Sequence, residues 1–193
     1  GRPRPGGRMT SPVSGGELTG KMLKIQAPLG SFFLREESDK PLVLLATGTG
    51  FAPIKAILQY MQETGVKRPA TLYWGGRSPN DFYMRDLVEQ WEAEHGNFRF
   101  VPVVSAPVSG SASSTPEQQW AGRIGHVHDV ARQDFPDLSG HQVYACGSPA
   151  MVSSARRIFI DECGLDAADF FSDAFVPTGY DALTRPPALS SFP

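Results

Sequence analysis

The chain has 193 residues, a net charge of −2, 40% apolar and 20% charged residues, and two cysteines, Cys146 and Cys163. That length holds one sizeable core with a small appendage, the charge gives no electrostatic case for nucleic acid, and two cysteines cannot build a disulfide framework. No stretch reads as a signal peptide or membrane span, so the expected compartment is the cytoplasm, and Gly1 in place of Met suggests a piece of something longer.

Gly1–Gly7 contains three glycines, two prolines and two arginines and predicts no regular element. Lys21–Ile25 alternates polar and apolar residues like a half-buried strand, Ala27–Gly30 reads as a turn, and Ser31–Leu34 as a second apolar run. Five apolar residues, Leu42–Ala46, then suit a strand buried on both faces, followed by Thr47-Gly48-Thr49-Gly50 and a helix with Pro53 near its first turn. Ile54, Ile57, Leu58 and Met61 lie at helical spacing, and Gly65 is placed as the C-cap.

Ala70–Trp74 predicts strand two, stopped by Gly75-Gly76, and a helix is expected over Asp81–His95 with Asn80 as its cap. Phe98–Val104 is strand three. Ser105–Gln119, rich in Ser, Ala and Pro, reads as a mobile loop. Val127–Asp134 is a short helix, Gln142–Cys146 strand four, Ala150–Cys163 a helix and Asp169–Phe175 strand five. The expected domains are therefore 1–38, the remnant of an antiparallel β-barrel, 39–176, an α/β domain, and 177–193, a disordered tail.

Alternating strands and helices predict a doubly wound five-stranded parallel sheet of order 3-2-1-4-5. In such sheets ligands sit beyond the carboxyl ends of the strands, where the strand order reverses. Two loops there carry small residues: Thr47–Pro53 after strand one, and Gly147-Ser148-Pro149 after strand four. A strand, a glycine turn and a helix start together let backbone N–H groups close around a phosphate. The Gly-x-Gly-x-x-Gly dinucleotide fingerprint is absent, since position 53 is Pro and no acid ends strand two. Arg77 can reach a phosphate or stack on adenine. Asp81 either accepts from a ribose hydroxyl or caps the helix start.

Pro41–Pro53, Leu72–Arg77, Val143–Pro149 and Phe170–Phe175 occur in order at spacings that resemble the C-terminal half of the ferredoxin–NADP reductase family. More narrowly, the chain is similar to iron–sulfur flavoprotein reductases of the sugar-dehydrase and oxygenase type. The resemblance implies Gly48, Thr49, Gly50 and Pro53 along the pyrophosphate and nicotinamide, and Arg77 near the adenosine ribose or its phosphate. Cys146 and Gly147, with Ser148 next in the chain, would flank the nicotinamide, and Phe175 would pack near the flavin ring. Gly7-Arg8-Met9-Thr10 resembles the Gly-x-x-Ser/Thr turn on the flavin pyrophosphate, so Gly7 and Thr10 are flavin candidates.

The implied activity is hydride transfer from NADH or NADPH to FAD, with electrons passed on to a [2Fe-2S] centre in a fused module or a separate protein. Two cysteines cannot ligate that cluster here. The chain by itself is expected to bind NAD(P)H and little flavin. The alternative is a non-catalytic nucleotide-binding fragment needing a separate flavin domain. A hydrolase built on His126, His128, Asp129 and Ser148 ranks low, because Pro149 removes an N–H that an oxyanion hole needs. His126 and His128 read as a surface pair rather than metal ligands.

Overall fold

The computed structural model describes residues 20, 22, 30–105, 120 and 122–175. The chain divides into two units, Gly1–Ser31 and Phe32–Pro193. Apart from Met22, the strand expected over Lys21–Ile25 lies outside the described residues, as do the turn at 27–29, Gly7 and Thr10, the loop at 106–119 and the tail beyond residue 175.

Six parallel strands form one sheet: β1 (Leu42–Thr47), β2 (Ala70–Gly76), β3 (Phe98–Val104), β4 (Arg123–Ile124), β5 (Gln142–Gly147) and β6 (Phe170–Ala174). Their order is β4-β3-β2-β1-β5-β6. The five expected strands stand in the expected sequence, and β4 adds a sixth at the edge, against Val103 and Val104. Two residues are too short to carry a periodic signal, so only pairing with β3 defines this strand. Ser31–Leu34 forms no strand. Leu34 is buried, and Phe32 sets its ring edge-on to Tyr144 at 5.9 Å, so that run packs on the sheet rather than extending one.

The central strand β1 is apolar from Leu42 to Ala46 because both of its faces are covered. Leu42, Leu44 and Ala46 of β1 pack with α1 (Phe51–Thr64) and α2 (Arg85–Glu94). Val43 and Leu45 face the other way, toward α3 (Val127–Asp134) and α4 (Pro149–Asp161). The two-residue period of a strand sorts consecutive side chains into the two layers. Gly65 closes α1 at φ 75, with its N–H donating to the Met61 carbonyl, as a left-handed C-cap should.

The expected helix over Asp81–His95 begins later, at Arg85. Pro79–Asp81 is a 3-10 turn capped by Ser78, not Asn80, and the Asp81 carboxylate bonds back to the cap in a reciprocal box.

At the amino end of the sheet lies a buried polar knot. Arg68, only 6% exposed, donates from Nε to the Lys40 carbonyl (2.7 Å), from Nη1 to the Arg35 carbonyl (2.9 Å) and from Nη2 to Gln142 Oε1 (2.8 Å). Gln142 Nε2 donates to Asp169 Oδ1 at 3.0 Å, and Lys40 Nζ to Asp169 Oδ2 at 2.6 Å. One guanidinium thereby brackets the segment that leads into β1. Nearby, between the C-terminal ends of α1 and α2, a groove of about 410 Å³ is floored by Met61 and Trp91 and holds none of the expected site residues.

Candidate functional site

The carboxyl end of the sheet brings the two glycine turns together. β1 and β5 are neighbours with Ala46 opposite Cys146, so the chain leaves both strands side by side. Gly48–Gly50 forms a 3-10 turn that runs directly into α1, with Gly48 at φ 53. A Cβ on Gly50 would overlap the Cys146 carbonyl and come within 2.8 Å of Gly147 Cα, so the turns touch backbone to backbone. Gly147 has φ 140, and a Cβ there would overlap the Thr47 hydroxyl. The Ser148 N–H donates to Thr47 Oγ1 at 3.0 Å, and Ser148 Oγ caps α4 by accepting from the Met151 N–H at 3.2 Å. The starts of α1 and α4 therefore flank one crevice, and helix starts attract anions.

The floor beneath is aromatic. Trp74, fully buried, stacks on Phe51 at 4.0 Å, and its Nε1 donates to the Gly48 carbonyl at 3.2 Å. Gly48 and Thr49 are exposed, Gly50 is buried, and Pro53 stands half-buried in the first turn of α1.

The adenosine-end candidates lie on the loop after β2. Arg77 is exposed. Asp81 Oδ2 accepts from the N–H groups of Arg77 (2.8 Å) and Ser78 (3.0 Å), which makes it the brace of that loop. Tyr83 follows, 42% exposed and edge-on to both Phe51 and Trp74. It escapes a sequence reading because its position looks like one more residue of a helix, and the turn at Pro79–Asp81 turns it outward.

At the other end, Phe175 is 38% exposed, and its N–H donates to the Gly147 carbonyl at 2.8 Å, which holds it beside the β5 turn. Cys146 is there through its backbone alone. Its side chain is 0% exposed within the core, and burial, with a smaller contribution from the Asp173 carboxylate, pushes the thiol up to about 12. Such a thiol is almost wholly protonated and shielded at neutral pH. Native protein is expected to take up no iodoacetamide at Cys146 over an hour at pH 8 and to label fully in urea, as read by intact mass and peptide mapping. Fast labelling of the folded chain would contradict this placement.

His126 and His128 stack in parallel at 5.5 Å, and the described residues contain no cluster that could hold a metal ion. His128 Nδ1 is buried without a partner, and burial holds its imidazole below the usual value. Ser148 serves as a helix cap, and nothing in the described residues arranges it as a nucleophile.

Glycine turns that abut at the carboxyl ends of the neighbouring strands β1 and β5, in a parallel α/β sheet, form the kind of crevice in which nucleotide-binding domains hold their ligands. The chain belongs to the oxidoreductase NAD-binding domain family, whose model matches residues 44–157. It is 42% identical to the CDP-6-deoxy-L-threo-D-glycero-4-hexulose-3-dehydrase reductase of Yersinia pestis, over 82% of this chain and 44% of that protein. It is 37% identical to terephthalate 1,2-dioxygenase reductase component 2 of a Comamonas species, over 91% of this chain and 50% of the relative. Its fold is similar to the Amycolatopsis cytochrome P450 reductase GcoB, with a TM-score of 0.69, 29% identity, and coverage of 92% of this chain and 51% of that one. The chain thus spans about half the length of these relatives. No helix among the described residues is long and apolar enough to cross a membrane.

Proposed function

We propose that this chain is the pyridine-dinucleotide half of a flavin-dependent reductase. The observation that carries the reading is the interlock of the two glycine turns, where the absence of Cβ atoms at Gly50 and Gly147 lets two strand ends meet and leaves a backbone-lined cradle between two helix starts. A pyrophosphate fits the Gly48-Thr49-Gly50 side of that cradle, where exposed backbone, the Thr49 hydroxyl and the α1 terminus favour negative charge. Pro53 stiffens the turn of helix behind it.

Arg77 supplies a planar cation for the adenosine phosphate or base, and Tyr83 offers an exposed ring for stacking. Asp81 acts mainly by holding the Arg77 loop. The Gly147–Ser148 turn and the Cys146 carbonyl border the nicotinamide end, and Phe175 covers it until the ring displaces the phenyl group. The chemistry of the bound groups is hydride transfer from nicotinamide C4 to flavin N5, then single electrons to an iron–sulfur acceptor. The chain's own contribution is placement of the nicotinamide and exclusion of water. Gly7 and Thr10 carry the flavin assignment that the family pattern suggests.

The half-length match favours a second reading, a nucleotide-binding fragment that works only with a flavin domain. Calorimetric titration with NADH and NADPH, followed by ferricyanide reduction with added FAD alone and with an added flavin domain, tests both. Saturable binding of one dinucleotide at unit stoichiometry is the expected result, and no heat with either at millimolar concentration would overturn it. Ferricyanide reduction that needs an added flavin domain identifies the fragment reading.

A further inference from the structure

The residue between the two glycine turns is Thr47, the last of β1. The register sets it opposite Gly75 on β2, and the pairing of Ala46 with Cys146 puts it beside Gly147 on β5. Its two side-chain branches use those two glycines differently. Oγ1 would overlap a Cβ on Gly147, and Cγ2 lies 3.2 Å from where a Cβ on Gly75 would be. The same Oγ1 accepts the Ser148 N–H at 3.0 Å, the link from β1 across to the cap of α4. A side chain on Gly147 would overlap the Thr47 hydroxyl and one on Gly75 would crowd its methyl group, so the three strand ends pack closely around Thr47.

We propose that Thr47 is a positioning residue for the dinucleotide: its hydroxyl ties the Gly147–Ser148 turn to the Gly48–Gly50 turn and so sets the distance between the pyrophosphate and nicotinamide subsites. The inference rests on the dinucleotide reading above. Without the tie, the turn keeps its contacts to β6 and α4, namely the Phe175 N–H on the Gly147 carbonyl and the Met151 and Val152 N–H groups on Ser148, but loses its side-chain hydrogen bond to β1. The Ser148 N–H, at the start of α4, would then turn to water or to the crevice. Part of the binding free energy would go into ordering the turn, and affinity would fall accordingly.

The arrangement separates the two halves of the ligand. Thr47 braces the β5 side, whereas Arg77, Asp81 and Tyr83 stand on the β2 loop, held by their own contacts. An adenosine fragment should therefore be indifferent to Thr47, and the whole dinucleotide should not be.

The test is calorimetric titration of the chain with NADH and with 5′-AMP for wild type, Thr47→Val and Thr47→Ser, alongside circular dichroism and thermal melts. Valine keeps the branched shape and removes the acceptor, while serine keeps the acceptor and removes the methyl group over Gly75. Loss of one neutral hydrogen bond corresponds to roughly a five- to tenfold weakening. The expected result is that weakening of NADH binding in Thr47→Val, with AMP binding within about twofold of wild type and Thr47→Ser close to wild type for both ligands. Equal binding of NADH by Thr47→Val and wild type would overturn the proposal. So would parallel loss of AMP and NADH, or loss in the serine variant as large as in the valine one. Each of these outcomes, read against wild-type protein that binds NADH, overturns the proposal alone, whereas wild-type protein that binds neither NADH nor NADPH would overturn the dinucleotide reading beneath it.

Discussion

Gly50→Ala is expected to destabilise the fold by about 3 kcal/mol and to abolish dinucleotide binding in whatever folded protein remains. The added methyl group meets backbone: the Cys146 carbonyl oxygen directly, its carbon at 2.5 Å and Gly147 Cα at 2.8 Å. Backbone at the centre of a parallel sheet cannot rotate aside as a long side chain can, so relief requires β1 and β5 to part at their carboxyl ends, which is the crevice itself. For a domain of this size that loss lowers the melting midpoint by roughly 6–12 °C. Gly96→Ala is the control, since no atom lies within 4 Å of its added Cβ and its φ is ordinary; it should melt within about 1 °C of wild type. Thermal unfolding with and without NADH measures both effects. A Gly50→Ala protein as stable as wild type would mean that the two turns do not touch.

Arg68→Ala is expected to cost about 4 kcal/mol without touching the nucleotide crevice. The guanidinium satisfies two main-chain carbonyls, Arg35 and Lys40, and the Gln142 side chain, all at 2.9 Å or less. Removing it leaves those acceptors buried and opens a cavity beside Asp169, whose carboxylate depends on Gln142 and Lys40. Arg68→Lys should recover roughly half of the loss, because an ammonium cannot span three acceptors set out for a planar fork. Urea unfolding measures the cost, and NADH affinity under native conditions should stay within about twofold, since the knot sits at the amino ends of the strands and the crevice at their carboxyl ends. A loss under about 1 kcal/mol in Arg68→Ala would show that water readily replaces the guanidinium.

These two sites divide cleanly in how they can be read. Gly50 is legible before any fold is known, because Thr47–Pro53 follows an all-apolar strand and opens a helix, and local chemistry alone makes it a turn. Arg68 is not, because its three partners lie 28, 33 and 74 residues away, and beside Pro69 it looks like any surface charge.

Short-range physics in the chain determined the alternation of strands and helices, the central strand, the left-handed cap at Gly65 and the two glycine turns, since each depends on residues within a turn or two of one another. Long-range packing decided the rest. It added the two-residue edge strand at Arg123–Ile124, whereas the turn ahead of α2 is local, closed by the box between Ser78 and Asp81. Long-range packing also enclosed the Cys146 thiol while leaving that residue's carbonyl against Gly50. A strand's period assigns a side chain to a face of the sheet, but whether that face is open or covered depends on which helix arrives there, and only the assembled fold supplies that.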